Sequence, residues 1–107
     1  MRVATVCALF ALLAGCGEAP DAAKAVTVDG KPDGEAIYTM YCELCHGADG
    51  TLALNGAKDL AQSTLGKDEM TGVVTHGRKT MSAYGQVLNA AQIEAVVDHV
   101  AGLRSRP

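Results

Sequence analysis

Cys42-Glu43-Leu44-Cys45-His46 is the stretch of the sequence whose residue types and spacing specify a chemistry. Two thiols two residues apart, with an imidazole directly after the second, match the arrangement that attaches haem through two thioethers and offers a ring nitrogen to the iron. On a helix these side chains share a face, because Cys42 to Cys45 is an i,i+3 step and Cys42 to His46 an i,i+4 step. Two other chemistries use a Cys-x-x-Cys pair. A structural zinc site would need two further ligands, and the remaining histidines, His76 and His99, stand far apart in sequence. A thioredoxin-like dithiol should follow a strand within a βαβ pattern, and no convincing strand run precedes Cys42.

The elements that must position this motif are helical. Asp33 after Pro32 is a natural N-cap, with Glu35 in the first turn, and the helix it opens carries the motif at its C-terminal end. Gly34, Tyr38, Cys42 and Cys45 fall on one side of it, with Ile37, Tyr41 and Leu44 on an adjoining one. Gly47 stops it, and the glycine-rich residues 47–56 read as a loop around the His46 side. Lys58 to Gln62 reads as a short helical turn, with Leu60 a pocket residue. Lys67 to His76 is a helix whose apolar set is Met70, Val73 and Val74, with Gly77 as its stop. The clearest helix comes last. Asn89 and Gln92 form a capping-box pattern, and Ile93, Val96, Val97, Val100 and Leu103 then recur at helical spacing.

Composition narrows the function classes. The chain has 107 residues and a formal net charge of −3, which allows one domain and argues against nucleic acid as a partner. Aromatic residues make up only 4% of it, so a haem macrocycle would have to supply much of the core. No convergent acid, base and nucleophile suggest an independent enzyme.

The N-terminus carries a separate signal. Met1-Arg2 is a brief positive region, Val3 to Ala14 is a nearly unbroken apolar run, and Leu13-Ala14-Gly15-Cys16 puts small residues before a cysteine. The run is shorter than the roughly 20 residues a membrane-spanning helix requires. It resembles the export signal of bacterial lipoproteins. That resemblance implies that residues 1–15 are removed, that Cys16 becomes a lipid anchor, and that residues 16–33 form a flexible tether to a domain at 34–107. The protein would then sit on the periplasmic side of a bacterial membrane.

From Gly34 to Leu103 the chain resembles the small class I c-type cytochromes of bacteria. The resemblance is carried by Gly34-x-x-x-Tyr38, Cys42-x-x-Cys45-His46-Gly47, Gly77-x-x-x-Met81-x-Ala83-Tyr84-Gly85 and the closing amphipathic helix. It implies an all-α fold of three to five helices around one covalently bound haem c. The first and last helices would cross near Gly34 and Tyr38. Iron would be held between His46 and a methionine sulfur, and redox partner proteins would exchange single electrons with it. Met81 stands at the family's ligand position in a glycine-bounded loop. Met40 shares the cysteines' helix and cannot reach the opposite haem face, while Met70 falls on an apolar helical stripe. Tyr84 and the apolar helix faces would exclude water.

The chain departs from the family pattern at three places. Ser82 follows Met81 where a proline is usual, no proline follows the haem motif to orient the His46 ring, and His99 replaces an aromatic residue on the last helix. His76 reads as a solvated helix end, and Arg78 and Lys79 as propionate partners, docking charges or a solvated loop. Besides the lipid-anchored carrier, two further functions follow. One is a haem subunit of a periplasmic dehydrogenase or reductase. The other, prompted by Ser82, is a haem sensor or small peroxidase in which Met81 leaves the iron open.

Overall fold

The computed structural model describes residues 29–104. The signal at residues 1–15, the anchor at Cys16 and most of the tether lie outside the described residues. Among the described residues the regular structure is helical: α1 (Gly34–Tyr41), α2 (Glu43–His46), α3 (Lys67–His76) and α4 (Ala90–Leu103), with 3₁₀ turns at Leu54–Gly56 and Leu60–Gln62 between α2 and α3. None of these helices is long and apolar enough to cross a membrane.

α1, α3 and α4 each begin where the sequence offers a capping side chain. The Asp33 carboxylate accepts from the backbone N–H groups of Glu35 and Ala36 at 3.0 and 3.1 Å, satisfying two of the free donors at the start of α1. Glu69 reaches back to the Gly66 N–H at 2.8 Å to start α3. Asn89 and Gln92 close a reciprocal capping box on α4, both bonds at 2.9 Å.

The first helix differs from the sequence reading. Cys42 adopts φ −118° and ψ −33°, which breaks one continuous helix into α1 and the single turn α2. Both segments hinge on this residue. Its N–H donates to the Tyr38 carbonyl at 2.8 Å, and its own carbonyl accepts from Cys45 and His46 at 3.3 and 3.0 Å. The motif therefore remains one turn of helix, anchored through the backbone of its first cysteine. Leu44 does not join Ile37 and Tyr41 as an apolar face: it is 82% exposed.

The core lies where α1, α3 and α4 meet. Ile37, Tyr38, Met70, Leu88, Ile93, Val96, Val97, Val100 and Leu103 are its buried apolar residues. The α4 stripe supplies most of them, each side chain contributing about 1.5–3 kcal/mol of burial. The crossing of α1 and α4 depends on Gly34. A Cβ at that position would collide with the Ala95 carbonyl and press on the His99 Cβ, so only glycine allows the two backbones this approach. His99 completes the crossing, its ring tilted 45° against Tyr38 with centroids 5.0 Å apart. The end of α4 is tied in by Arg104, whose guanidinium donates to the Leu65 carbonyl at 2.8 Å and lies 3.1 Å from the Met70 sulfur.

Candidate functional site

α1, α2, α3 and α4, with the segments between them, enclose a largely apolar cavity of about 660 Å³. That is within the roughly 300–1,000 Å³ usual for cofactor-sized ligands. Cys42, Cys45, His46 and Met81 all line it. The motif turn presents three of these from one wall. Met81 comes from the loop between α3 and α4, which also contributes Arg78, Lys79, Thr80, Ser82 and Tyr84. Val73, Val74, Val96, Val97 and Val100 give the cavity apolar walls from α3 and α4.

No disulfide joins Cys42 and Cys45, and burial, followed by the neighbouring Cys45, pushes the Cys42 thiol up to about 11. His46 is held by a group that sequence reading did not name. Its Nδ1 lies 3.0 Å from the Lys58 carbonyl oxygen. A carbonyl only accepts, so Nδ1 carries the proton and Nε2 is left with its lone pair. The proline missing after the motif is thus replaced by a backbone carbonyl twelve residues on. Further bonds fix the chain between them: Leu52 N–H donates to the His46 carbonyl at 3.0 Å, and Leu60 N–H to the Gly50 carbonyl at 2.8 Å. Tyr38 fastens the end of the motif turn, its hydroxyl donating to the Gly47 carbonyl at 2.6 Å. Burial, with smaller contributions from nearby acidic groups, raises the Tyr38 hydroxyl to about 12.

The three methionines among the described residues separate by position. Met40 is 41% exposed and does not line the cavity. Met70 lies at the cavity wall within the core, and its sulfur is in contact with the Arg104 guanidinium. Met81 lines the cavity from a loop and is half-buried.

The Met81 loop is fastened at its two ends. Arg78 and Met81 exchange backbone bonds at 2.9 and 3.2 Å, and Tyr84 and Gly85 N–H donate to the Val74 and Thr75 carbonyls at 2.9 and 3.1 Å. At the cavity wall the Tyr84 hydroxyl donates to the Tyr41 carbonyl at 3.1 Å, and the two rings meet edge to face, 5.8 Å apart. Sequence reading gave Tyr84 a water-excluding role but did not pair it with Tyr41. Ring residues directly before the motif and after the methionine are the signal that could have suggested it. His76 is exposed at the end of α3 and does not line the cavity; Arg78 and Lys79 are exposed at its rim.

These residues suit haem in both shape and donors. Two thiols, an imidazole with a free nitrogen and a thioether border one apolar cavity, as covalent attachment and axial ligation of haem require. The buried Tyr41 hydroxyl, which has no hydrogen-bond partner among the described residues, leaves a polar contact for a group placed there.

A helical fold around such a cavity defines a small monohaem c-type cytochrome, carrying one covalently bound haem and serving as an electron carrier. The comparisons agree. The chain belongs to the family described as cytochrome c oxidase, cbb3-type, subunit III, whose model matches residues 29–100. Cytochrome c6 of Microcystis aeruginosa is 38% identical to it over 74 residues, spanning 64% of this chain and 90% of that protein. Cytochrome c6 of Petalonia fascia is 32% identical over 74 residues, or 64% and 86% of the two chains. A solved structure described as the KustC0563 c-type cytochrome aligns with a TM-score of 0.61 over 67% of this chain and 98% of its own, at 23% identity. At that identity it bears on the fold alone, which it shares.

Proposed function

We propose that the protein is an exported, lipid-anchored single-electron shuttle in which Cys42 and Cys45 tether the haem, His46 and Met81 are its axial ligands, and Cys16 carries the lipid. The observation that carries this reading is the His46 ring. Its Nδ1–H donates to the Lys58 carbonyl, so Nε2 is the nitrogen free to bind a metal, in the same cavity that Met81 lines. A covalently bound haem would supply reversible one-electron chemistry, and a thioether from Met81 together with the His46 imidazole would favour its ferrous state.

The chain's own residues do the rest by positioning. The Lys58 carbonyl fixes the plane of the His46 ring. Tyr38 and Tyr84 hold the motif turn and the Met81 loop to each other's surroundings through the Gly47 and Tyr41 carbonyls. The valines of α3 and α4 exclude water from the interior, which lowers the reorganisation that accompanies a change of charge. No proton has to move: the cavity's carboxylate, Asp59, is engaged in capping the 3₁₀ turn at Leu60–Gln62 through the N–H groups of Ala61 and Gln62.

Anchoring at Cys16 rests on the residues of the N-terminal signal. Two or more acyl chains on one cysteine give stable membrane attachment and confine the carrier near membrane-bound partners. Mass spectrometry of the exported protein tests this directly, the account expecting a chain that begins at an acylated Cys16. An unmodified thiol there would remove the anchor and leave the haem chemistry intact.

The description of the matching family as an oxidase subunit favours one alternative, a haem subunit docked permanently on a larger oxidoreductase. Purification separates the two. A free monomer supports the shuttle, and co-purification with a large redox partner supports the subunit. The axial assignment is tested by visible spectra of the holoprotein beside Met81→Ala. A low-spin native spectrum with the weak methionine-to-ferric-iron band, indifferent to carbon monoxide and altered in the variant, supports His46/Met81. A native protein that binds carbon monoxide tightly would favour a sensor or peroxidase.

A further inference from the structure

The side of α4 that walls the haem cavity ends in a charge. Val97 and Val100 line the cavity, and Arg104, the C-cap residue, follows them on the same face at the i+7 and i+4 positions. Arg104 does not line the cavity itself. Its guanidinium donates to the Leu65 carbonyl at 2.8 Å and lies 3.1 Å from the Met70 sulfur, and Leu65 and Met70 are both cavity residues. The charge therefore stands one residue behind the cavity wall.

Among the described residues no carboxylate answers it. The ion pair there joins Lys67 to Asp98, whereas the polar contacts of Arg104 are a neutral carbonyl and a thioether. Its Nε is buried with no hydrogen-bond partner. Lys31, Lys58, Lys67, Arg78 and Lys79 are all exposed, so Arg104 is the half-buried cation among the described lysines and arginines. Water and salt screen the exposed charges, and screen a partly buried one much less. A cation suits the C-terminus of a helix, but that role alone does not require the side chain to turn inward against Met70. A guanidinium also keeps its charge at every working pH.

Resting on the carrier reading, we propose that Arg104 sets the reduction potential, its unanswered charge behind Leu65 and Met70 favouring the ferrous over the ferric haem. The ferric centre carries one more positive charge than the ferrous, and two positive charges repel more strongly across apolar side chains than across water. One electron is gained on reduction; no bond forms and no proton moves. Arg104 acts at a distance, as a positioning charge and not as a ligand.

The test is potentiometric titration of the holoprotein with dithionite and ferricyanide, at low salt and at high salt. Arg104→Gln and Arg104→Met, a polar and an apolar neutral replacement, should each shift the ferrous-to-ferric ratio at fixed ambient potential about three- to tenfold towards ferric. That is a potential lower by about 30–60 mV, at 59 mV per tenfold for one electron. The shift should persist at high salt, with the low-spin spectrum kept. Arg104→Lys, which restores the charge, should recover most of it, whatever stability is lost with the bond to Leu65. Lys67→Gln, which removes an exposed cation, should move the ratio less than about twofold and only at low salt. Neutral variants that keep the wild-type potential, a shift that vanishes at high salt, or a lysine variant as low as the neutral ones would each overturn the proposal. A wild-type holoprotein without any reversible one-electron couple would overturn the carrier reading, and the proposal with it.

Discussion

The two walls of the haem cavity are built by different means. On the Cys42–His46 side the groups ride on a single helical turn, and the His46 ring is locked by the Lys58 carbonyl. On the Met81 side the group rides on a loop with no helix of its own. It is held by backbone pairs at its ends and by Tyr84, and Lys79 within it adopts a positive φ of 53°. The first wall is fixed by local spacing, and the second by what the rest of the chain packs against it. Change at the motif should therefore abolish attachment, whereas change at the loop should retune a site that persists.

The largest effect expected is at the motif itself. Cys42→Ser with Cys45→Ser should abolish covalent haem, seen as loss of the haem mass from the denatured chain, and leave the polypeptide unfolded by circular dichroism. If that chain keeps a cooperative thermal transition, the packing of α1, α3 and α4 is more self-sufficient than its small core suggests.

Next comes the crossing that supports both walls. Gly34→Val forces a side chain into the Ala95 carbonyl, and should cost about 3 kcal/mol of holoprotein stability in guanidinium unfolding. A cost below about 1 kcal/mol would mean that α1 and α4 can separate without loss.

Met81→Ala should spare the covalent haem and most of the fold while opening the iron to carbon monoxide. Met70→Leu, volume-conserving in the core, should change spectral behaviour little and cost less than about 1.5 kcal/mol. The reverse pattern would exchange the roles of the two methionines.

Alkaline titration sharpens the same contrast. The Tyr38 hydroxyl is raised from 10.0 to about 12 in the folded protein. The stability it lends is complete below pH 10 and is lost as pH rises towards and through 12. Tyr38→Phe should lose about 1 kcal/mol at neutral pH with the bond to Gly47, and should weaken that alkaline decline in the unfolding midpoint. An unchanged pH profile would show that ionisation of Tyr38 is not linked to unfolding. The smallest effect belongs to the exposed Lys67–Asp98 pair, where Lys67→Ala should cost less than about 1 kcal/mol.

Much of this architecture was legible in the sequence because it is local. The bounds of α3 follow from its stop glycine and apolar spacing, and α4 and its capping box from Asn89, Gln92 and the valine stripe. The motif residues face one cavity as their spacing requires. What was not legible depends on backbone groups and distant contacts, which leave no mark in residue type. The Lys58 carbonyl that holds His46 is such a group: any residue at 58 could offer it. The break at Cys42 is another, since no proline or glycine between residues 35 and 46 marks it. Helical periodicity places Leu44 on one side with Ile37 and Tyr41, but the helix breaks at Cys42, and Leu44 beyond the break is exposed whereas Ile37 before it is buried.

The most direct test of the central claim, iron held between His46 and Met81, is the proton NMR spectrum of the reduced holoprotein with ¹³C-methyl methionine. The ring current of the haem shifts the methyl of a ligating methionine far upfield of the others. The account predicts one such methyl, present in Met70→Leu and absent in Met81→Ala. An upfield methyl that survives Met81→Ala and disappears with Met70→Leu, or a spectrum with none, would contradict it.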